Sequence, residues 1–337
     1  MPSSALTGQE YTIYRSKDGA IIGTNTRIPP LGPRDVLIRI THSGVCNADA
    51  MYASMGAPIA LGHEGVGLVE AVGSEVTQLS PGDRAGGGYH RGSCGTCRYC
   101  LSGQDIYCDQ RVIFDSREPD NGTFAQYYIG KETYVHKIPE LISSAHAAPL
   151  QCAGAATYVA LKSTIRPTSR VGVIGIGGLG HLAIQFAAQL GGEVVALSTT
   201  REKQEEALGL GAREFVLLEQ LPLKRPLDVL VVTSSRYPDW DKILGQHLLA
   251  RCGVVVPLTA SPAPLSLPAG PMLSNGWRVH FSLVASRADH DEMLRFAAIH
   301  GIRPLVQTYK FDGASSIEKA FKDIKENKVR YRVVLEF

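Results

Sequence analysis

The sequence predicts an α/β protein in two parts, a small β-rich domain with long functional loops and a doubly wound parallel sheet. Two changes of grammar along the chain carry this expectation. From about residue 9 to residue 150, short β runs are divided by Gly, Pro and Asn. From about Arg170, short apolar strands alternate with helical patterns, as a parallel sheet covered on both faces requires. The length of 337 residues agrees, at roughly 150 residues per domain.

In the first part the clearest runs are DVLIRITHSGV (Asp35 to Val45), GVGLVEAVG (Gly65 to Gly73) and GTFAQYYIG (Gly122 to Gly130). In the second, VGVIG leads into a helix predicted from about Gly178 to Leu190. There Leu179, Leu182, Ala183, Phe186, Ala187 and Leu190 recur at helical spacing, and Gly191-Gly192 stops the run. EVVALS, a helix from about Arg201 to Leu208, EFVLL and LDVLVVT follow. A helix from about Pro238 to Ala250 and the strand GVVVPL come next. The Pro-rich stretch Ser261 to Pro271 reads as a loop. A last helix, about Ser315 to Glu326, carries lysines interleaved with acids and reads as a solvated face.

Composition excludes several classes. Hydrophobic residues are 44% and charged residues 20%, so disorder and coiled coil fail as whole-chain descriptions. With 34 basic and 32 acidic residues there is no broad cationic field, which argues against nucleic acid and anionic membrane as partners. The N-terminal MPSSALTGQEYTIY lacks a basic segment followed by an apolar core, so no secretory signal is read there. The longest apolar stretch, Val171 to Leu190, is broken by glycines, His181 and Gln185. It falls short of the roughly 18 unbroken apolar residues of a membrane span. The expected location is cytoplasmic.

Three constellations carry chemistry. GIGGLG places Gly175, Gly177 and Gly180 in a GxGxxG pattern, with Gly178 and Leu179 between the last two, directly after a strand and opening a helix. The first glycine permits a tight turn, the second lets backbone approach a pyrophosphate, and the third lets helix pack on strand. The next strand ends ALSTTREK, with Ser198 where NAD-binding versions carry an acid, followed by Thr199 and Arg201. Hydroxyls plus a cation, without a repelling carboxylate, suit a 2′-phosphate, so the expected cofactor is NADP(H).

Of seven cysteines, Cys94, Cys97, Cys100 and Cys108 cluster within one short lobe. In a large chain such clustering favours metal over disulfides, and four thiolates form a closed tetrahedral shell suited to structural Zn²⁺. Cys46, His63 and Cys152 would make a Cys–His–Cys shell with one open position, the pattern of a catalytic zinc. By spacing alone, a lone His and two distant Cys are more often core residues. Cys252 reads as a buried strand cysteine.

GVCNAD, GHEGVG, CGTCRYC, APLQCAG and GIGGLG occur in an order that resembles the zinc-dependent medium-chain alcohol dehydrogenases, from about Tyr11 to Leu335. The likeness is closest to the NADP-preferring branch that includes cinnamyl alcohol dehydrogenases. It implies a GroES-like catalytic domain over 1–153 and 287–337, a Rossmann nucleotide domain over 154–286, and an active site in the cleft between them. It further implies two zincs per chain, a small-molecule substrate and a homodimer or homotetramer. Carried over, Cys46, His63 and Cys152 ligate catalytic zinc, Glu64 is a neighbouring or exchanging fourth-ligand carboxylate, and Asp49 orients the ligands. Arg332 matches a basic position near the cofactor phosphates.

One departure bears on mechanism. The family's proton relay uses a Ser or Thr where this chain has Ala48 and a histidine where it has Met51, and neither residue can pass a proton. Zinc-bound water or another acid would then supply the proton, with Tyr52, Tyr89 and His90 as the candidate residues. The expected activity is hydride transfer between NADPH and an aldehyde or ketone. The alternatives are reduction of a conjugated C=C or of an iminium, and an NADPH-binding interaction protein with little turnover.

Overall fold

The longest strand of the chain organises the first of two units. The computed structural model describes residues 6–114, 117–245, 247–259 and 264–337. It divides the chain into Met1–Ala155 with Ala285–Phe337, and Ala156–Val284. In the first unit Asp35–Val45 pairs along one edge with Gly65–Val72. Its other edge is shared: Asp35 to Arg39 face Tyr127–Lys131, and His42 to Val45 face Arg332–Glu336. Val306–Lys310, Arg84–Gly87 and His136–Lys137 complete a seven-stranded sheet. Val36, Leu37 and Ile38 are fully buried in this strand, and Val45, Leu61, Phe124, Val333 and Leu335 pack together near its end. The strand therefore delivers Cys46 at a fixed point beside the core.

A hairpin, Glu10–Lys17 with Ala20–Arg27, turns at Asp18-Gly19, both in the left-handed region. The run Gly122 to Gly130 is a strand only from Tyr127 onward. Its first half bonds elsewhere: the N–H groups of Thr123 and Phe124 donate to the carbonyls of Gly62 and Leu61. That detour docks the segment against the loop bearing His63.

The second unit holds a six-stranded parallel sheet. Its spatial order is Glu214–Leu217, Glu193–Ser198, Arg170–Ile174, Leu227–Val232, Leu249–Pro257, Arg278–Val279. Counted along the chain this is 3-2-1-4-5-6, the doubly wound dinucleotide order. All five residues of Arg170–Ile174 are buried, as a strand covered on both faces demands.

Three expected helices change length. The first is Gly180–Gln189, because Gly178 and Leu179 belong to the turn before it. The second is Gln204–Gly209. The third is Trp240–Gly245, not Pro238 to Ala250. His247 takes a φ of 52°, which a right-handed helix cannot contain, and Leu249–Pro257 is already strand. The loop expected from Ser261 to Pro271 lies partly outside the described residues, since 261–263 are not among them. Its end is helical: Ala269–Asn275 tolerates Pro271 in its first turn and stops at Gly276, φ 63°. Cys252, expected in a buried strand position, is exposed with φ 62°. Among the described residues no helix is long and apolar enough to cross a membrane.

Two candidate metal centres and a dinucleotide turn

Cys46 closes the central strand and opens helix Asn47–Ser54. Asp49, fully buried in that helix, has both oxygens committed. Oδ2 accepts the Cys46 N–H at 3.0 Å, and Oδ1 accepts the Gly62 N–H and the His63 Nδ1–H, each at 2.9 Å. One carboxylate thus ties two ligand-bearing segments together and fixes the His63 tautomer. With Nδ1 engaged, Nε2 is the nitrogen left to ligate, and it is buried with no hydrogen-bond partner. Ligand atoms of Cys46, His63, Glu64 and Cys152 lie within 4.8 Å of one another. A buried imidazole nitrogen left orphaned among two thiols and a carboxylate is what a bound metal would satisfy, so these residues fit one.

Aromatic rings wall the site. His63 is covered by Phe114 at 4.5 Å and Tyr89 at 5.7 Å between ring centroids. Glu64 is fully buried, and Arg332 clamps it with contacts of 2.5 and 2.7 Å. Burial pushes the Glu64 carboxyl up, to about 7, against the opposing pull of Arg332. Glycine makes the room: a Cβ on Gly44 would collide with the Glu64 carboxylate. A hydrogen bond between the two thiols holds Cys46 well below the ordinary range and Cys152 well above it.

The second group is Cys94, Cys97, Cys100 and Cys108, all free thiols within 4.8 Å. Sulfur separations are 3.9 Å (Cys94–Cys100), 3.5 Å (Cys97–Cys100) and 3.5 Å (Cys94–Cys108). A tetrahedron with bonds of about 2.3 Å has edges of about 3.8 Å. The lobe supplies its own N–H donors to sulfur: Cys97 to Cys94 at 3.4 Å and Gln110 to Cys108 at 3.3 Å. N–H groups of Thr96 and Cys97 draw the Cys94 thiol down to about 6. These residues fit a closed four-thiolate shell.

In the second unit the glycines have separate jobs. Gly175 has φ 89°, and a Cβ there would come within 2.7 Å of the Ser234 nitrogen. A Cβ on Gly180 would overlap the Gly175 carbonyl oxygen. A Cβ on Gly177 would meet nothing within 4 Å beyond its chain neighbours, which leaves that face of the turn open to a phosphate. Gly178 and Leu179 complete the turn. Ser198 ends its strand half-buried, and Thr199 and Arg201 are exposed beyond it.

Two placements escaped sequence reasoning. Lys203 donates to the Ile176 carbonyl at 2.8 Å, bringing a cation onto the glycine turn. Its signal was the basic TTREK run, read only as far as Arg201. Arg332 meets Glu64 at a separation of 268 positions, a pairing no local pattern encodes. Of the proton-donor candidates, Tyr89 lies against His63, whereas His90 packs on Tyr134 at 4.6 Å.

Residues 32–140 match the model described as the alcohol dehydrogenase GroES-like domain. The chain is 36% identical over 323 residues to a probable formaldehyde dehydrogenase of Bacillus subtilis, covering 91% of each. It is 34% identical over 329 residues to an NADP-dependent alcohol dehydrogenase C of Mycobacterium bovis, covering 93% of each. Among solved structures, a cinnamyl alcohol dehydrogenase of Sorghum bicolor gives a TM-score of 0.86 at 30% identity, covering 97% of this chain and 98% of that one. The CAD of Helicobacter pylori, complexed with NADP(H), gives 0.86 at 28%, with the same coverage.

Proposed function

This chain belongs to the zinc-type medium-chain alcohol dehydrogenase family, and from that premise we propose a zinc-dependent NADP(H) oxidoreductase that moves hydride between NADPH and an aldehyde or ketone. The observation that carries the zinc reading is His63: Nδ1 held by Asp49, Nε2 buried and unpartnered beside the thiols of Cys46 and Cys152. When bound, zinc supplies Lewis acidity toward a carbonyl oxygen and NADPH supplies the hydride. The chain supplies the rest. Asp49 orients the ring, Arg332 offsets the negative charge of Glu64, and Phe114 with Tyr89 keeps the surroundings apolar, where charge interactions are strong.

Ala48 and Met51 lie one turn apart on helix Asn47–Ser54, and Met51 is 47% exposed. Neither holds an exchangeable proton. Tyr89 replaces them in this reading. Burial, then the charge of Cys152, raises its hydroxyl well above the ordinary range and keeps the proton on Oη beside the ligand group. The cofactor preference rests on Ser198 in place of an acid, with Arg201 and Lys203 nearby in sequence, and on the NADP named for the relatives. Ser198→Asp then moves relative affinity toward NADH by about 1–3 kcal/mol. Equal binding of both cofactors by the unmodified protein would sink this preference.

Turnover of aldehydes, enals and cyclic imines with NADPH tests the reaction. Aldehydes as best substrates support carbonyl reduction. A wide preference for imines supports the second reading, which the missing hydroxyl at Ala48 favours, because an iminium accepts hydride with no proton needed on oxygen. No turnover of any class, with NADPH bound, leaves the interaction-protein reading.

A further inference from the structure

Cys152 sits in an irregular turn. Leu150–Gly154 is a π turn between helices Ser144–Pro149 and Ala155–Lys162, closed by the Ala155 N–H reaching back to the Leu150 carbonyl. Helical residues advance by about 100° each, so the one extra residue of a π turn decides which way the side chains inside it point. Were the turn to relax to α geometry, Cys152 would swing off its target. Pro149, which ends the helix just before the turn, has no N–H to give.

A chain of side-chain hydrogen bonds braces it from outside. Gln151, 1% exposed, donates from Nε2 to the Ala147 carbonyl at 3.0 Å. Its Oε1 accepts from Nε2 of His290 at 3.1 Å. Because a carbonyl faces the amide nitrogen, the amide oxygen must face His290, which makes His290 the Nε2–H donor. The ring has little freedom to turn. It starts helix Arg287–Ile299 behind the Ser286 cap and stacks on His136 at 3.9 Å with planes 1° apart. Asp291 in turn holds His136 through Nδ1 at 2.7 Å. Burial, and then the neighbouring His136 and His90, keeps His290 neutral. An apolar side chain at position 151 would bury as well without needing partners, so the polar chain has a purpose beyond packing.

We propose that His290 and Gln151 are positioning residues, which through Ala147 fix the π turn that aims the Cys152 thiol at Cys46, His63 and Glu64. The proposal rests on the reading of that group as a metal site. Its test uses the full chain loaded with Co²⁺, whose thiolate absorption reports the sulfurs that are bound, together with metal content and release to a chelator. Gln151→Met and His290→Phe keep volume and remove the bonds. Both should release the metal of the buried group about 10–100-fold more readily, the range for losing an outer partner of a ligand. Thiolate absorption should fall, and the four-cysteine lobe should release at its original rate. His290→Gln, which returns an N–H toward Gln151, should recover most of the loss. Unchanged release and spectra in both variants overturn the proposal. His290→Gln no better than His290→Phe assigns the effect to ring stacking and overturns it too. If His290→Phe does not fold, Gln151→Met decides alone. An unmodified chain that holds metal only at the lobe overturns the metal reading as well, whereas an unmodified chain with both metals and unaltered variants overturns this proposal only.

Discussion

The four-cysteine lobe and the Cys46–His63–Glu64–Cys152 group are both convergent ligand sets of one unit, yet they are built by opposite means. The lobe draws every ligand from Cys94 to Cys108, leaves Cys94 and Cys97 half-exposed, and supplies its sulfurs with N–H groups of its own turns. The other set, with His63 and Glu64 fully buried and Cys46 half-exposed, is assembled from a strand end, a loop and a π turn, and its atoms hold place through Asp49, Arg332 and Gln151. A local site fails only by losing a ligand. An assembled site also fails when a residue that never touches the metal is changed.

The sharpest break should come from His63→Ala. It removes the orphaned Nε2 and should release the metal of the buried group while the lobe keeps its own. Lewis-acid help of several kcal/mol corresponds to a loss in kcat/KM of about 10²–10³-fold or more. Wild-type turnover in a variant lacking that metal would show that catalysis does not need it. Next in size is Asp49→Asn, which replaces a carboxylate accepting three N–H groups with an amide that offers a single oxygen. Metal affinity at the buried group should fall about 10–100-fold, measured by competition with a chelator. Lobe affinity should not move, and a parallel loss there would erase the distinction between the sites.

Cys97→Ser reverses the pattern. It should release the lobe metal and lower the melting temperature by about 2–10 °C, the shift expected for roughly 1–3 kcal/mol in a chain of this size. Turnover at a temperature where the variant is folded should change little. Retention of full metal content would refute the four-thiolate assignment. The smallest effect is in pH. Metal binding displaces thiol protons, so affinity falls as pH falls. Each site pairs a lowered thiol with a raised one: Cys94 is drawn down to about 6 while Cys97 is raised to about 11, and Cys46 lies well below the ordinary range while Cys152 lies well above it. Acidification should therefore empty both sites. Metal kept at either site through strong acid would mean that thiolates do not hold it.

The same contrast governs what could be read from sequence. The lobe was legible in full because spacing alone brings its cysteines together. Strand Asp35–Val45 and the glycine turn were legible because alternation and φ requirements are local. The helix at Trp240 was drawn too long because Trp240, Ile243, Leu244 and Leu248 keep helical spacing beyond its end, while Leu248 serves the same core from outside it. Motif order marked Cys46, His63 and Cys152. It could not supply the partners of Glu64 and Gln151, because Arg332 and His290 reach them through tertiary pairing. His290 carried no signal beyond being a polar residue in a charged helix.

The Glu64–Arg332 clamp also says something about the order in which this molecule can be finished. A ribosome emits Glu64 early and Arg332 268 positions later, and the whole of Ala156–Val284 must be made in between. Until the strand Arg332–Glu336 adds to Asp35–Val45, the carboxylate has no cation and no reason to leave water. The buried ligand group is thus completed late in biosynthesis, after the nucleotide-type unit has had time to fold by itself, whereas the cysteine lobe has all its ligands as soon as Cys108 emerges.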